Sequence, residues 1–199
     1  MIQPEDILKQ YFGYNEFRPL QRDIVVSILN KKDTIALLPT GGGKSVCFQV
    51  PALMQEGVCI VVTPLVALMK DQVENLKKRD IQALALFGGM GRKEMEFELE
   101  NCINGKYKFL YVSPERLLSK HFLSYAINIK FSFIAVDEAH CISQWGYDFR
   151  PPYLKISEFR EKAGKPPAFL LTASATPAVV QDIAKKLELK QQKKKKKSF

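Results

Sequence analysis

The chain of 199 residues reads as a single α/β domain, a mainly parallel sheet with helices on both faces. Three observations carry that expectation. Six short apolar runs alternate with helical patterns along the chain, the order that builds a parallel sheet through right-handed crossovers. The runs, such as Val58-Cys59-Ile60-Val61-Val62 and Phe133-Ile134-Ala135-Val136, are continuous rather than alternating, as suits strands covered on both faces. A triple-glycine turn joins the first run to the helix after it, at the strand end where such sheets hold ligands.

The elements follow in order. Residues 4–12 and 19–30 are expected as helices, because Pro4 suits a first turn and Ile24, Val25, Ile28 and Leu29 recur at helical spacing. Strands are expected at 34–38, 58–63, 82–87, 108–112, 131–136 and 168–172, with helices at 43–54, 64–79, 91–104, 114–126, 153–163 and 177–188. One domain spans 1–188. The segment 189–199 is low-complexity and Lys-rich and lacks the patterning for regular structure; it reads as a disordered tail.

Leu38-Pro39-Thr40-Gly41-Gly42-Gly43-Lys44-Ser45 is the organising stretch. Strand, tight loop and helix follow one another, and the glycines let backbone N–H groups turn inward around an anion. The helix N-terminus adds unpaired N–H groups and a positive dipole end. Lys44 supplies a full charge for β/γ-phosphates, and the Ser45 hydroxyl suits Mg²⁺. Thr40, Gly41, Gly42 and Gly43 complete the cradle. Leu38 stands where phosphate loops more often begin with Gly.

The second pole is Asp137-Glu138-Ala139-His140, directly after the strand at 131–136. A carboxylate at such a strand end is where Mg²⁺ is held opposite a phosphate loop. Asp137 would hold the metal through water, and Glu138 would orient and deprotonate an attacking water. Thr172-Ala173-Ser174-Ala175-Thr176 ends the last strand. Its hydroxyls would bond near the γ-phosphate or the acids, or cap the helix after Pro177; both roles are compatible. The stretch Tyr11 to Gln21 is aromatic-rich. It reads either as a hydrophobic staple for the first helix or as an adenine site, with an amide for the N6/N7 edge and an aromatic ring or Arg for the base face.

Totals set bounds. The net charge of +9 is concentrated at the end: from residue 185 onward there are eight Lys and one Glu, leaving +2 for residues 1–184. A nucleic-acid partner therefore rests on motifs, not on charge. No stretch reaches the ~18 apolar residues of a membrane span, and no basic-then-apolar leader opens the chain, so a cytoplasmic chain, or a nuclear one in a eukaryote, is expected. Cys47, Cys59, Cys102 and Cys141 form no C-x-x-C pair; they are expected to be reduced and mostly buried, with no zinc site.

Taken together, these motifs resemble superfamily-two helicases, and the run Cys141-Ile142-Ser143-Gln144-Trp145-Gly146-Tyr147-Asp148-Phe149-Arg150-Pro151 resembles the aromatic-rich loop of the RecQ family of ATP-dependent DNA helicases. The resemblance spans about residues 5 to 188. It implies a RecA-like P-loop fold that uses ATP and Mg²⁺. It implies base contacts from Tyr14, Arg18 and Gln21, and a catalytic group of Lys44, Asp137, Glu138 and His140. Ser143, Trp145, Phe149 and Arg150, with His140, would relay the occupancy of single-stranded DNA. Trp145 and Phe149 do offer π-faces for bases and Arg150 a cation, although Trp145 packed in the core is the alternative. Thr63 to Gln72 and Ser113 to Arg116 resemble DNA-backbone motifs.

The family further implies 3′-to-5′ unwinding of DNA at single-strand/duplex junctions, work in recombination and repair, and a second RecA-like lobe that brings an arginine finger. Two other readings are weighed against it: a nucleotide- and DNA-binding fragment without turnover, and an RNA helicase lobe, which the 141–151 loop argues against. Tyr147 stands where His is expected, Ser174 where Ala is more usual, and Phe87-Gly88-Gly89-Met90 is less polar than the resemblance implies.

Overall fold

A computed structural model describes residues 2–39, 41, 43–189 and 193–196. It opens with α1 (Pro4–Ile7), which continues as a π-helical turn, Leu8–Phe12. Strands and helices then alternate: α2 (Gln21–Leu29), β1 (Thr34–Leu37), α3 (Lys44–Met54), β2 (Val58–Val62), α4 (Val66–Lys77), β3 (Ala83–Leu86), α5 (Arg92–Ile103), β4 (Phe109–Val112), α6 (Lys120–Ala126), β5 (Phe131–Val136), α7 (Lys155–Lys162), β6 (Ala168–Thr172) and α8 (Pro177–Lys186). Short 3₁₀ turns occupy Pro114–Arg116, Ala139–Ile142 and Pro151–Leu154.

The sheet runs β3-β4-β2-β5-β6-β1, with every pairing parallel. The continuous apolar runs are explained by the period-two alternation of strand side chains. Ile60 and Val62 of β2, Ile134 and Val136 of β5 and Leu170 of β6 face a core built with α5, α6, α7 and α8. Cys59 and Val61, Phe133 and Ala135, and Phe169 and Leu171 face the opposite core, built with α2, α3 and α4. Each strand is thus buried on both sides, and the expected α/β architecture is what the chain adopts.

One expectation is revised. The helix expected over 114–126 is broken, because a 3₁₀ turn starts at Pro114 and α6 starts afresh where Ser119 Oγ accepts the Phe122 N–H at 3.3 Å, an N-cap. The tail reading falls largely on residues outside the described ones (190–192 and 197–199); within it, Lys193–Lys196 pairs in parallel outside β1 as β7, from Thr34↔Lys193 to Leu37↔Lys196. The outer edge of β1 would otherwise present unpaired backbone groups, and lysine is a residue tolerated on sheet edges. Pairing of this kind uses the backbone alone, so side-chain patterning does not announce it.

Strand order positions the site. Because β6 lies between β1 and β5, Thr172 at its C-terminal end stands between the phosphate loop after β1 and the acids after β5. Leu38 N–H donates to Thr172 O at 3.0 Å and Asp137 N–H donates to Val62 O at 2.9 Å, which extends the ladder into both functional loops.

Candidate active site

At the phosphate loop, Gly43 takes the left-handed conformation (φ 72°) as the N-cap of α3. Glycine is required by the backbone, and a Cβ there would displace the Gln21 amide. The reason for the crowding is a clamp. Gln21 Nε2 donates to Gly43 O at 3.1 Å, Gln21 Oε1 accepts the Arg18 N–H at 2.8 Å, and Arg18 Nη1 donates to Gly41 O at 2.8 Å. Gln21 is only 4 % exposed. Thr40 and Gly42, both singled out from the sequence, lie outside the described residues.

The aromatic stretch before α2 divides between a packed part and a cavity-lining part. Tyr11, Phe12 and Phe17 pack against Ile7, Leu8, Val25 and Val50, the staple role. Tyr14 and Arg18 instead line a cavity of about 500 Å³ with Gly41, Gly43, Lys44, Ser45, Asp137 and Glu138. Gln21 does not line it, because its amide is engaged with the loop backbone.

The acids face Lys44 across this cavity. Glu138 has a left-handed backbone (φ 50°, ψ 46°), uncommon for a residue with a Cβ and typical of functional strain. That turn sends the two carboxylates apart. Glu138 Oε1 lies 4.0 Å from Lys44 Nζ and Oε2 lies 3.3 Å from His140 Nδ1. Asp137 Oδ1 accepts the Glu138 N–H at 3.0 Å, and Asp137 O accepts the hydroxyl of the fully buried Tyr153 at 3.0 Å. Burial first, and the Glu138 charge second, hold the Asp137 carboxyl above its ordinary range.

His140 is buried, and its Nδ1 lies 3.0 Å from Thr172 Oγ1. Thr172 spends its own proton on Ser174 O at 3.1 Å, so the His140 Nδ1–H is the donor in that pair. Burial pushes the His140 pKa below the ordinary imidazole value against the pull of Glu138. Of the strand-exit hydroxyls, that of Thr172 thus acts on the histidine, while that of Thr176 caps α8. Tyr147, at the position where His is expected, stacks its ring on His140 at 4.5 Å and 18°.

The 141–151 loop divides into outer and inner residues. Trp145 is 77 % exposed, which overturns the core-packing alternative. Gly146 lets the loop close tightly, since a Cβ there would meet His140 O at 2.5 Å. Phe149 is half-buried beneath Lys186. Arg150 is paired with Asp148 through Nε at 3.1 Å and Nη2 at 2.9 Å. Ser143 corrects an expectation: it is 0 % exposed, so it cannot meet DNA directly. Its hydroxyl is turned inward, donating to Asp182 Oδ2 at 2.6 Å.

Thr63, Leu68 and Gln72, from the stretch assigned to the DNA backbone, line the nucleotide-side cavity. Arg116 is engaged internally, donating to Phe87 O at 3.0 Å, and the Phe87 ring carries Lys70 Nζ at 4.2 Å. All four cysteines are free and buried. Among the described residues, no helix is long and apolar enough to cross a membrane. Tyr153, Asp182 and Lys186 were missed from sequence. Their roles come from contacts made 16, 39 and 44 residues away, and no local spacing encodes these.

A larger cavity, about 600 Å³, lies at the opposite ends of the strands, beside Tyr107, Lys108 and Lys130. Its lysines are already partnered, Lys130 by Glu56 at 2.7 Å and Lys108 by Gln55 O. The smaller cavity holds the chemistry. It also fits a polar occupant: Thr63 Oγ1 is buried in its wall without a hydrogen-bond partner among the described residues, and Asp137 is a half-buried carboxylate whose charge a cation would relieve.

A family model described as DEAD/DEAH box helicase matches residues 18–183. The chain belongs to the DEAD/DEAH box helicase family. Within it, the chain is 48% identical over 190 residues to a probable ATP-dependent DNA helicase RecS of Bacillus subtilis, covering 95% of this chain and 38% of that protein. It is 44% identical to the ATP-dependent DNA helicase RecQ of the same organism, covering 94% and 32%. The chain spans about a third of the length of these relatives. Among solved structures it superposes on Mss116p bound to ssRNA and AMP-PNP with a TM-score of 0.75 at 19% identity, covering 98% of this chain and 42% of that one. It superposes on the helicase MrfA bound to DNA with a TM-score of 0.72 at 16% identity, covering 98% and 28%. These likenesses establish the RecA-like helicase fold.

Proposed function

We propose that this chain is the ATP-binding motor lobe of a DNA helicase, coupling ATP hydrolysis to single-stranded DNA. One observation carries the reading: Lys44 and Glu138 meet across the cavity at 4.0 Å, and the chain that supplies Glu138 runs directly into the exposed Trp145 loop. Lys44 and the N–H groups of the phosphate loop bind the phosphates. Tyr14, beside Arg18 at the cavity mouth, takes the base face. Glu138, between Lys44 and His140, receives the proton of the attacking water, while His140, whose Nδ1–H is held by Thr172, packs against its carboxylate. Ser45 and Asp137 would hold Mg²⁺, which when bound neutralises phosphate charge.

On the outer side, Trp145 offers its face to a base, a contact commonly worth about 1–3 kcal/mol per base. A second RecA-like lobe is the proposed partner and the source of an arginine finger, which in GTPases is worth about 10³–10⁵ in rate. The 199-residue chain by itself therefore binds ATP weakly, turns it over slowly and does not unwind duplexes. We place its work in recombination and repair, in the cytoplasm or a nucleus, on the family resemblance its motifs carry.

The test is ATP turnover measured with and without single-stranded DNA or RNA, beside Glu138→Gln. DNA-stimulated turnover that falls about 10²–10⁴-fold in the variant, with nucleotide binding retained, supports the reading. Stimulation by RNA alone, or turnover indifferent to Glu138, overturns it.

A further inference from the structure

The bond that withdraws Ser143 from the surface leads to α8. Asp182 Oδ2 accepts the Ser143 hydroxyl at 2.6 Å, and Ser143 Oγ in turn accepts the Trp145 N–H at 3.2 Å. One turn further along α8, Lys186 pairs with the same carboxylate oxygen at 3.0 Å. Lys186 Nζ also donates to Ile142 O at 3.2 Å and lies 5.5 Å from the centre of the Phe149 ring. Two side chains of one helix therefore hold Ile142, Ser143 and Phe149, and through Ser143 the backbone of Trp145.

This is not an ordinary surface pair. The Asp182 and Lys186 side chains are mostly buried. Desolvation works against the Asp182 charge, yet the Ser143 hydroxyl and Lys186 hold its pKa below the ordinary carboxylate range, so it is ionised at neutral pH. The same helix is also tied to the active site. It begins at Pro177, immediately after the strand exit whose Thr172 contacts His140. The loop is thus anchored at one end by α8 and at the other by the histidine that packs against Glu138.

We propose that Asp182 and Lys186 are positioning residues that hold the aromatic loop in register with His140 and Glu138, so that DNA on Trp145 is felt in the nucleotide cavity. The inference rests on the nucleotide- and DNA-binding reading above. Neither residue touches nucleotide or DNA in this account. Cutting the anchor uncouples the two ligands and leaves each able to bind.

The experiment measures affinity for a non-hydrolysable ATP analogue with Mg²⁺, with and without an oligothymidylate strand, on the full chain. The variants are Asp182→Ala, Asp182→Glu and Ser143→Ala, with Gln181→Ala, exposed on the same helix, as the control. DNA is expected to change nucleotide affinity about fivefold or more in the wild type and in Gln181→Ala, within the usual range of coupling between sites. Asp182→Ala is expected to hold nucleotide within about twofold of wild type without DNA, while the effect of DNA shrinks to about twofold or less. Asp182→Glu recovers part of it. Trp145, the only tryptophan, reports the freed loop as a fall in fluorescence anisotropy.

Ser143→Ala removes the same bond and decides the matter if Asp182→Ala does not fold. Full coupling in Asp182→Ala or in Ser143→Ala overturns the inference. So does an equal loss of nucleotide affinity with and without DNA, which is what a merely structural role gives. A wild-type chain that binds both ligands without coupling, or does not bind DNA, overturns the proposed function and this inference with it.

Discussion

His140 and Gly43 show how single residues set the chemistry. His140 is neutral in the fold because burial disfavours its charge. Its folded pKa is depressed, so the associated stability is fully present above the ordinary imidazole value, about 6.5, and is lost as pH falls through the depressed value. Thermal unfolding at about pH 7.5 and about pH 5.5 checks this: the wild-type midpoint drops more than that of His140→Gln. Gly43→Ala places a Cβ at φ 72° where it displaces the Gln21 amide. It is expected to cost about 1–3 kcal/mol in denaturant unfolding and to weaken nucleotide binding by opening the clamp. At this scale the sequence was legible for charge and illegible for direction. Lys44, Asp137 and Glu138 announce themselves by type and spacing. That Gln21 turns to the loop and Ser143 to Asp182 follows from partners more than twenty positions distant, or from a burial that no local pattern specifies.

Elements were readable where hydrophobic period and punctuation agree. The six strands from β1 to β6 came from continuous apolar runs, and α8 from Thr176 and Pro177, a cap followed by a proline at the first helical position. The break between Pro114 and α6 was missed because the Ser119 cap lies inside an otherwise helical pattern. Strand β7 has no apolar pattern at all and is held by backbone pairing. The α8 cap is directly testable: Thr176 Oγ1 accepts the Val179 N–H at 3.3 Å. Thr176→Ala is expected to lower stability by about 1 kcal/mol, read as a shift of the denaturant midpoint with unchanged slope. If α8 is the loop's anchor, the same substitution also lowers Trp145 anisotropy.

Across the whole molecule, stability and function sit at opposite ends of the sheet. At the N-terminal ends of β1 and β6, Arg160 Nη2 pairs with Asp33 Oδ1 at 2.6 Å, and the same oxygen accepts the Ala168 N–H at 2.9 Å. Arg160 also donates to Pro166 O and Leu187 O, at 2.8 and 3.3 Å. Both partners are largely buried, so removing one leaves a buried charge unmatched. Arg160→Met is expected to cost about 3–5 kcal/mol of stability while leaving nucleotide affinity unchanged at temperatures where the variant is folded. At the C-terminal ends, β1, β5 and β6 bring phosphate loop, acids and hydroxyls together, and α8 fastens the aromatic loop beside them. The central claim is that this arrangement forms one coupled lobe. Titration with a fluorescent ATP analogue and Mg²⁺, with and without single-stranded DNA, beside Lys44→Ala, tests it most directly. The account predicts binding that the substitution abolishes and that DNA alters. Binding indifferent to Lys44 would contradict it, because the phosphate loop would then not be the nucleotide site.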